Sequence, residues 1–182
     1  MPWIIAGVIV LILIIWYISA YNRFVTLKNK IEEAFSTMDV YLKKRYDLIP
    51  NLVETVKGYA KHESGTLEAV IKARNLAMSA GSTEERAQGD NMLSGTLKSL
   101  FALAESYPDL KANQNFLDLQ NQLKAIEADI ANARKYYNAV VRDYNTLRET
   151  FPSVIVANLN HMEKKTLFVI ENEERQNVKV QF

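Results

Sequence analysis

The first twenty residues constrain this chain more than any other feature, because none of them carries a charged side chain. Within Trp3–Ala20 the only distinctly polar side chain is Ser19, and eleven residues are Ile, Leu or Val. A helix of this length spans about 27 Å, close to the ~30 Å hydrocarbon core of a bilayer. All 22 basic and 21 acidic residues lie beyond it. The sequence therefore predicts an apolar anchor, residues 1–20, joined to a strongly polar body.

We expect this anchor to cross the membrane as one helix. Its Ile, Leu and Val residues favour insertion by about 3–6 kcal/mol in total. Aromatic residues stand at both ends of the segment, as in the interfacial belts of membrane helices. The residues predicted to form the anchor include Trp3, Ile4, Ile5, Val8, Leu11, Leu13, Ile15, Trp16 and Tyr17.

The alternative is a secretory signal peptide cleaved after Ile18-Ser19-Ala20. Such a peptide begins with basic residues and has an apolar stretch of 7–15 residues. Here Met1-Pro2 is not basic and the apolar stretch is longer, so we expect a retained anchor. Basic residues follow the segment at Arg23, Lys28 and Lys30. By the positive-inside rule, the N-terminus lies outside and the body lies in the cytoplasm.

Beyond the anchor, apolar residues recur with the period of an α-helix, about 3.6 residues. The apolar phase continues through Pro50, so the pattern predicts one long helix, straight or kinked there, rather than a break. In the alternative, Asp47 caps a new helix with Pro50 in its first turn. A helix continuous with the anchor to residue 62 would be roughly 90 Å long. The repeating residues are Phe24, Leu27, Ile31, Phe35, Met38, Leu42, Tyr46, Ile49, Val53, Val56 and Ala60.

Two further helices are predicted before residue 110. The first runs from Leu67 to about Ser79. The second opens with the capping-box spacing of Ser82 and Glu85 and ends at Tyr107-Pro108-Asp109. Its expected buried stripe is Leu93, Leu97, Leu100, Ala104 and Tyr107.

The fourth helix carries the strongest pattern, in which apolar residues alternate steps of three and four over five heptads. This repeat is typical of a coiled-coil seam. Pro152 should end the helix, Val154–Asn160 should form one or two helical turns, and Val178–Phe182 alternates like a short strand. The seam residues are Phe116, Leu119, Leu123, Ile126, Ile130, Ala133, Tyr137, Val140, Tyr144, Leu147 and Phe151.

Composition and motifs point away from enzymatic chemistry. The chain has no Cys, which excludes disulfides, thiolate nucleophiles and Cys-based metal sites. The sequence after His62-Glu63 fails the HExxH pattern at Thr66, and no phosphate-binding loop, nucleophile elbow or EF-hand spacing is present. A net charge of +1 argues against nucleic acid. We therefore predict no catalytic, cofactor or metal site, and take the acidic Glu171–Glu174 stretch as a solvated segment rather than a cation site.

Polar residues inside or beside the helical seams are the remaining unusual feature. Several are spaced by seven, which returns a side chain to the same edge of a seam. They form either an intramolecular network that fixes helix register or a contact strip between subunits. Both interpretations follow from the requirement that buried polar groups be paired. The candidates are Asp39, Arg45, Asp47, Asn51, Glu54, Lys57, Glu127, Arg134, Asn138 and Asn145.

Several segments resemble the LemA family of bacterial membrane proteins. They run in order from about residue 21 to 160, whereas the tail departs from the family's frequent Pro-x-Val-x-Phe ending. The matching segments are Tyr21-Asn22, Ala34-Phe35-Ser36 with Asp39, the run from Lys44 to Ala60, His62-Glu63, the run from Ala104 to Asn113 with Phe116, Ala133-Arg134, Tyr136-Tyr137-Asn138, Tyr144-Asn145 and Phe151-Pro152.

The resemblance implies an all-α fold, in which an N-terminal transmembrane helix continues into an antiparallel four-helix bundle. We expect an anchor at 1–20, a bundle at 21–160 and a tail at 161–182. The anchor is expected to lie in the bacterial inner membrane. The family implies no established catalytic activity, and its members are often encoded near membrane metallopeptidases.

Three functions are compatible with this sequence. The first is a homo-oligomeric scaffold that contacts membrane lipid and organises or shapes the bilayer or its proteins. The second is an adaptor that docks on another membrane protein, such as a metallopeptidase, through the helix face near Asp47 and Glu54. The third is a pore or transport accessory, which the charge-free anchor disfavours.

Overall fold

The computed structural model describes residues 1–169, and every regular element in that range is a helix. The all-α prediction is confirmed for these residues. The strand predicted at Val178–Phe182 and the acidic Glu171–Glu174 stretch lie outside the described residues. The helices are α1 (Pro2–Tyr59), α2 (Ser64–Ser79), α3 (Thr83–Ala104), α4 (Pro108–Lys111), α5 (Gln114–Glu149) and α6 (Ser153–Leu159).

Helix α1 is continuous, which confirms the unbroken alternative over the one with a cap at Asp47. Pro50 lies inside it and has no N–H to donate to the carbonyl of Tyr46, four residues earlier. The side chain of Arg74, from α2, donates its Nε–H to this carbonyl at 2.8 Å. A neighbouring helix thus supplies the donor that Pro50 lacks, and the helix passes through the proline.

Helix α3 begins at the predicted capping box. The Glu85 N–H donates to Ser82 Oγ at 3.2 Å, and the Ser82 N–H donates to Glu85 Oε2 at 3.2 Å. The helix ends at Ala104, three residues before the predicted end, because Pro108 starts the separate turn α4 at a position that needs no N–H. Tyr107 therefore leaves the expected buried stripe, and its hydroxyl donates to Glu63 at 3.0 Å.

Helix α5 buries most of the predicted seam, including Leu123, Ile130 and Tyr144. Phe151, however, is 82% exposed, so its assignment to the seam was wrong. Helix α5 ends at Glu149, so the apolar spacing that continues to Phe151 no longer marks one face of a helix. The next helix, α6, has about two turns, which is the longer of the two lengths predicted for Val154–Asn160.

The chain divides into two compact units. The first contains Met1–Thr37 and Lys135–Leu167. In it, α1 and α5 run antiparallel: the rings of Phe24 and Tyr144 lie 5.7 Å apart, and those of Phe35 and Tyr137 lie 5.8 Å apart. The core of this unit comprises Phe24, Ile31, Ala34, Tyr137, Val140, Val141, Tyr144, Leu147, Val156 and Ala157.

Of the described residues, the second unit contains Met38–Arg134 together with Phe168 and Val169. It combines parts of all four long helices, with the turn α4 between α3 and α5. Its fully buried apolar side chains include Met38, Leu42, Ile49, Leu52, Val56, Val70, Leu93, Leu100 and Leu110.

Helices α2 and α3 approach each other most closely at Gly89. A Cβ atom there would lie 2.6 Å from the Ala77 Cα and 2.9 Å from the Ala77 nitrogen. Because both are backbone atoms, no side-chain movement can relieve the contact. The hairpin of α2 and α3 therefore depends on a residue without a side chain at position 89.

Candidate functional site

The most unusual site is a cluster of four charged residues inside the second unit, formed by Arg45, Asp90, Glu127 and Arg134 and here called the charge cluster. Arg45 lies at its centre and is fully buried. Its Nη1 donates to Glu127 Oε1 at 2.6 Å and to Ser94 Oγ at 3.0 Å. Its Nη2 is paired with the Asp90 carboxylate. The cluster thereby joins helices α1, α3 and α5.

Asp90 is also fully buried, and both of its carboxylate oxygens are paired. Oδ1 accepts from Arg45, and Oδ2 accepts from Arg134 Nη2 at 2.7 Å. The Arg134 guanidinium in turn lies 5.2 Å from the centre of the Phe168 ring. Two cations and two anions leave the charge cluster neutral, the condition under which buried charges are tolerated.

Sequence spacing explains why these charges meet. Arg45 lies three residues after Leu42 and four before Ile49, so it shares their buried face of α1. Glu127 and Arg134 are one heptad apart on α5. The charges therefore occupy positions that apolar residues fill elsewhere. We expect them to favour one register between the helices, because each partner is met at only one alignment.

A groove of about 720 Å³ lies between α3 and α5 beside the charge cluster, and Glu127 and Arg134 line it. Its other lining residues include Leu97, Leu123, Ile130, Lys98 and Lys124. This mixture of apolar and hydrogen-bonding side chains is typical of a binding surface. Within residues 1–169, no group of three or more His, Asp or Glu side chains is placed to hold a metal ion.

Tyr46 lies next to the charge cluster, and its hydroxyl has no hydrogen-bond partner among the described residues. Burial raises the pKa of Tyr46 above 10.0, the nearby Arg45 charge lowers it and the Glu127 charge raises it. The folded state thus favours the neutral phenol. This contribution to stability is present below pH 10 and is lost as the pH rises above it, since the unfolded chain then ionises first.

We expect Tyr46→Phe to change stability at neutral pH by no more than about 1 kcal/mol, because it removes an unpaired buried hydroxyl. We also expect it to flatten the loss of stability above pH 10. Urea unfolding followed by circular dichroism at a series of alkaline pH values tests this. Tyr136→Phe, at a site that is 52% exposed, is the control. Parallel loss of stability in wild type and Tyr46→Phe would contradict the prediction.

The remaining candidates on α1 lie outside the charge cluster. Asp39 pairs with Arg86 of α3. Asp47 pairs with Lys43, and Glu54 with Lys57, along the exposed face of α1 itself. Asn51 is also exposed. The structure therefore places Asp39 between helices, whereas the side chains of Asp47, Asn51 and Glu54 are exposed to solvent.

Asn138 and Asn145 belong to the first unit. Asn145 is buried and makes two hydrogen bonds with the main chain of Lys165: its Nδ2 donates to the carbonyl at 2.8 Å, and its Oδ1 accepts from the N–H at 2.9 Å. It thus fastens the segment after α6 against α5. Asn138 is partly buried on the same helix.

Sequence reasoning missed Asp90 and Ser94. A signal for Asp90 was present, because it lies three residues before Leu93 and seven before Leu97, on the same stripe of α3. A charge on an apolar stripe is a reason to look for a buried partner. Ser94 carried no such signal, since a serine beside a stripe is usually solvated.

The anchor residues are the most exposed apolar part of the structure. Trp3 is 88% exposed, and Ile4, Ile5, Val8, Leu11, Leu13 and Ile15 are each at least half exposed. Trp16 and Tyr17 are partly buried, and the Tyr17 hydroxyl accepts from Asn160 Nδ2 at 3.0 Å. By length and composition, this part of α1 is compatible with a helix that crosses a membrane.

Comparison with known proteins gives the same family as the sequence motifs. A sequence model of the LemA family matches residues 34–182. The chain is also similar to the Protein LemA of Metamycoplasma hominis, with 25% identity over 166 residues that cover 89% of this chain and 74% of the relative. The family match spans most of the chain and includes all four residues of the charge cluster. The chain therefore belongs to the LemA family.

Proposed function

We propose that this protein is a non-enzymatic, membrane-anchored helical scaffold that self-associates and organises or shapes the membrane or its proteins. One observation carries the proposal: α1 runs unbroken from an exposed apolar segment into the buried core of the first unit, at Phe24, Ile31 and Ala34. Within that unit a continuous helix fixes the orientation of the core relative to the apolar segment, whereas a flexible linker would not. Such a connection suits a protein whose task is to hold other molecules in place.

The exposed apolar segment supports the anchoring part of the proposal. Soluble monomers rarely expose contiguous apolar patches larger than a few hundred Å². Here the apolar side chains from Ile4 to Ile15 are exposed around the whole helix, and none of this segment is buried within the structure. A bilayer would cover all sides of it at once. The basic residues Arg23, Lys28 and Lys30 favour a cytoplasmic body and an outside N-terminus.

The surface of α2 supports the self-association part. Ile71 is 41% exposed and Met78 is 50% exposed. They are seven residues apart and so lie on one edge of the helix. Two exposed apolar side chains on one edge, with the exposed Asn75 between them, form a site at which a second copy of the chain would gain by burial.

We expect the double variant Ile71→Glu, Met78→Glu to lower the mass of the detergent-solubilised particle, because two charges would oppose burial of this edge. Size-exclusion chromatography with light scattering measures that mass. Lys72→Glu, a polar change on the same helix, is the control and should leave the mass unaltered. An unchanged mass in the double variant would remove the α2 edge as the contact.

A second candidate function, an adaptor for another membrane protein, is favoured by the exposed acidic face of α1. The side chains of Asp47 and Glu54 are 55% and 73% exposed and pair with lysines of their own helix. They are therefore accessible to a basic partner. Co-purification of a membrane protein with wild type, and its loss with Glu54→Lys, would support this function; equal recovery with both would count against that surface.

A further inference from the structure

Helix α6 presents an apolar surface that the fold of the first unit leaves uncovered. Ile155 is 44% exposed and Leu159 is 66% exposed, and their four-residue spacing puts them on one face of the helix. Phe151, just before α6, is 82% exposed. The opposite face, formed by Ser153, Val156 and Ala157, is buried. These three exposed side chains are here called the α6 surface.

Both ends of α6 are held in place by hydrogen bonds. At its start, Ser153 Oγ donates to the carbonyl of Leu147 at 2.6 Å, at the C-terminal end of α5. At its end, Asn160 Nδ2 donates to the Tyr17 hydroxyl of α1 at 3.0 Å. The α6 surface is therefore fixed beside Tyr17, at the end of the apolar segment of α1.

The position of Tyr17 indicates what covers this surface. Tyrosine and tryptophan near the ends of membrane helices lie at the level of the lipid headgroups. Tyr17 follows Trp16 and precedes Tyr21, so it belongs to such a belt. A short helix bonded to this hydroxyl lies at the same level, where an apolar face enters the boundary between headgroups and acyl chains.

Charge in the same region favours a phospholipid surface. A cavity of about 440 Å³ lies in the first unit, and its lining includes Lys28, Lys165, Glu163 and Asn160. Its two lysines outnumber its one carboxylate, so the lining is net basic close to the residue that ties α6 to the anchor. Anionic headgroups are attracted to basic residues at this level, by about 1 kcal/mol each.

We propose that the α6 surface, Phe151, Ile155 and Leu159, is a second membrane contact that lies in the headgroup region of the bilayer beside the anchor. The proposal rests on the membrane anchoring proposed above and adds a contact to it. Together the anchor and the α6 surface would fix the tilt and rotation of α1 at the membrane, as two contacts do and one does not.

Lipid quenching of a fluorescent label tests the α6 surface directly. The chain has no Cys, so single cysteines at Phe151, Leu159, Leu13 and Val40 can each carry one environment-sensitive fluorophore. The labelled full-length chains are reconstituted in phosphatidylcholine–phosphatidylglycerol vesicles with spin-labelled lipid. Leu13→Cys reports on the anchor. Val40→Cys is the matched control, since Val40 is 52% exposed and lies about 35 Å along α1 from Tyr17.

We expect a lipid spin label near the headgroup to quench the fluorophores at 151 and 159 severalfold more than the one at 40. Quenching at 13 alone would overturn the α6 contact and leave the anchor standing. No quenching at 13 would contradict the anchor, and the α6 contact with it. Protection of 151 and 159 from aqueous quencher without lipid quenching would show that protein, such as a second copy, covers the surface, and would also overturn the proposal.

Discussion

Replacing Arg45 by Met is expected to lower the free energy of unfolding by about 3–5 kcal/mol, the usual cost of removing one partner of a buried ion pair. Arg45 and Asp90 are both fully buried. Without Arg45, Arg134 is the one charged partner that the Asp90 carboxylate keeps within residues 1–169, and Glu127 loses its 2.6 Å bond. Urea unfolding of the full chain in detergent, followed by circular dichroism, measures the change.

Lys43→Met provides the matched control for this substitution. Lys43 is two residues away, its side chain is 74% exposed, and it pairs with Asp47 on the surface. Its loss should cost no more than about 0.5 kcal/mol. Replacing Asp90 by Leu in the Arg45→Met background should restore part of the stability, since it removes a fully buried carboxylate that has lost one of its two cationic partners. Equal stability of Arg45→Met and Lys43→Met would contradict the role assigned to the charge cluster.

The substitution Gly89→Ala should destabilise the protein by about 1–2 kcal/mol, although alanine is the better helix former. The new Cβ would lie 2.6 Å from a backbone atom of Ala77, so α2 and α3 would have to separate. The free energy lost when the helices separate should exceed the gain from the higher helix propensity of alanine. The same unfolding measurement gives the sign and size of the change.

Gly95→Ala on the same helix should have the opposite sign. Among the described residues, no atom beyond the local backbone of α3 lies within 4 Å of the position that its Cβ would take. The substitution should therefore gain about 0.8–1 kcal/mol from helix propensity alone. If both variants were stabilised alike, the close approach at Gly89 would not limit the packing of α2 on α3.

The helices were largely predictable because their signals are local. The 3.6-residue period gave α1, and the capping box located the start of α3 at Ser82. The continuity of α1 through Pro50 was left open by the sequence, since it depends on a donor from another helix. That donor is Arg74, and nothing in the spacing around Pro50 indicates it.

The charge cluster was only partly predictable, for a related reason. Arg45, Glu127 and Arg134 were singled out by their positions on or beside apolar seams, but their shared partner Asp90 was not. A stripe indicates that a charge is buried, whereas the identity of its partner depends on how three helices pack. Phe151 shows the converse error, because a regular apolar pattern continued two residues past the last helical residue, Glu149, onto the α6 surface.

Both units contain polar pairings that join their helices. The charge cluster joins α1, α3 and α5 in the second unit, and Asn145 and Asn160 hold the segments around α6 in the first. We expect such pairings to add specificity of helix register more than stability. A fixed register within each unit would suit the proposed scaffold, since it would keep each binding surface in one arrangement.

The mass of the intact detergent-solubilised particle tests the scaffold proposal most directly. Light scattering on full-length protein across a micromolar concentration range provides it. We expect a defined multiple of the 20.8 kDa chain that persists on dilution. A strict monomer at every concentration would contradict self-association, leave the polar residues of α1 and α5 as internal register contacts, and direct the search to a partner protein.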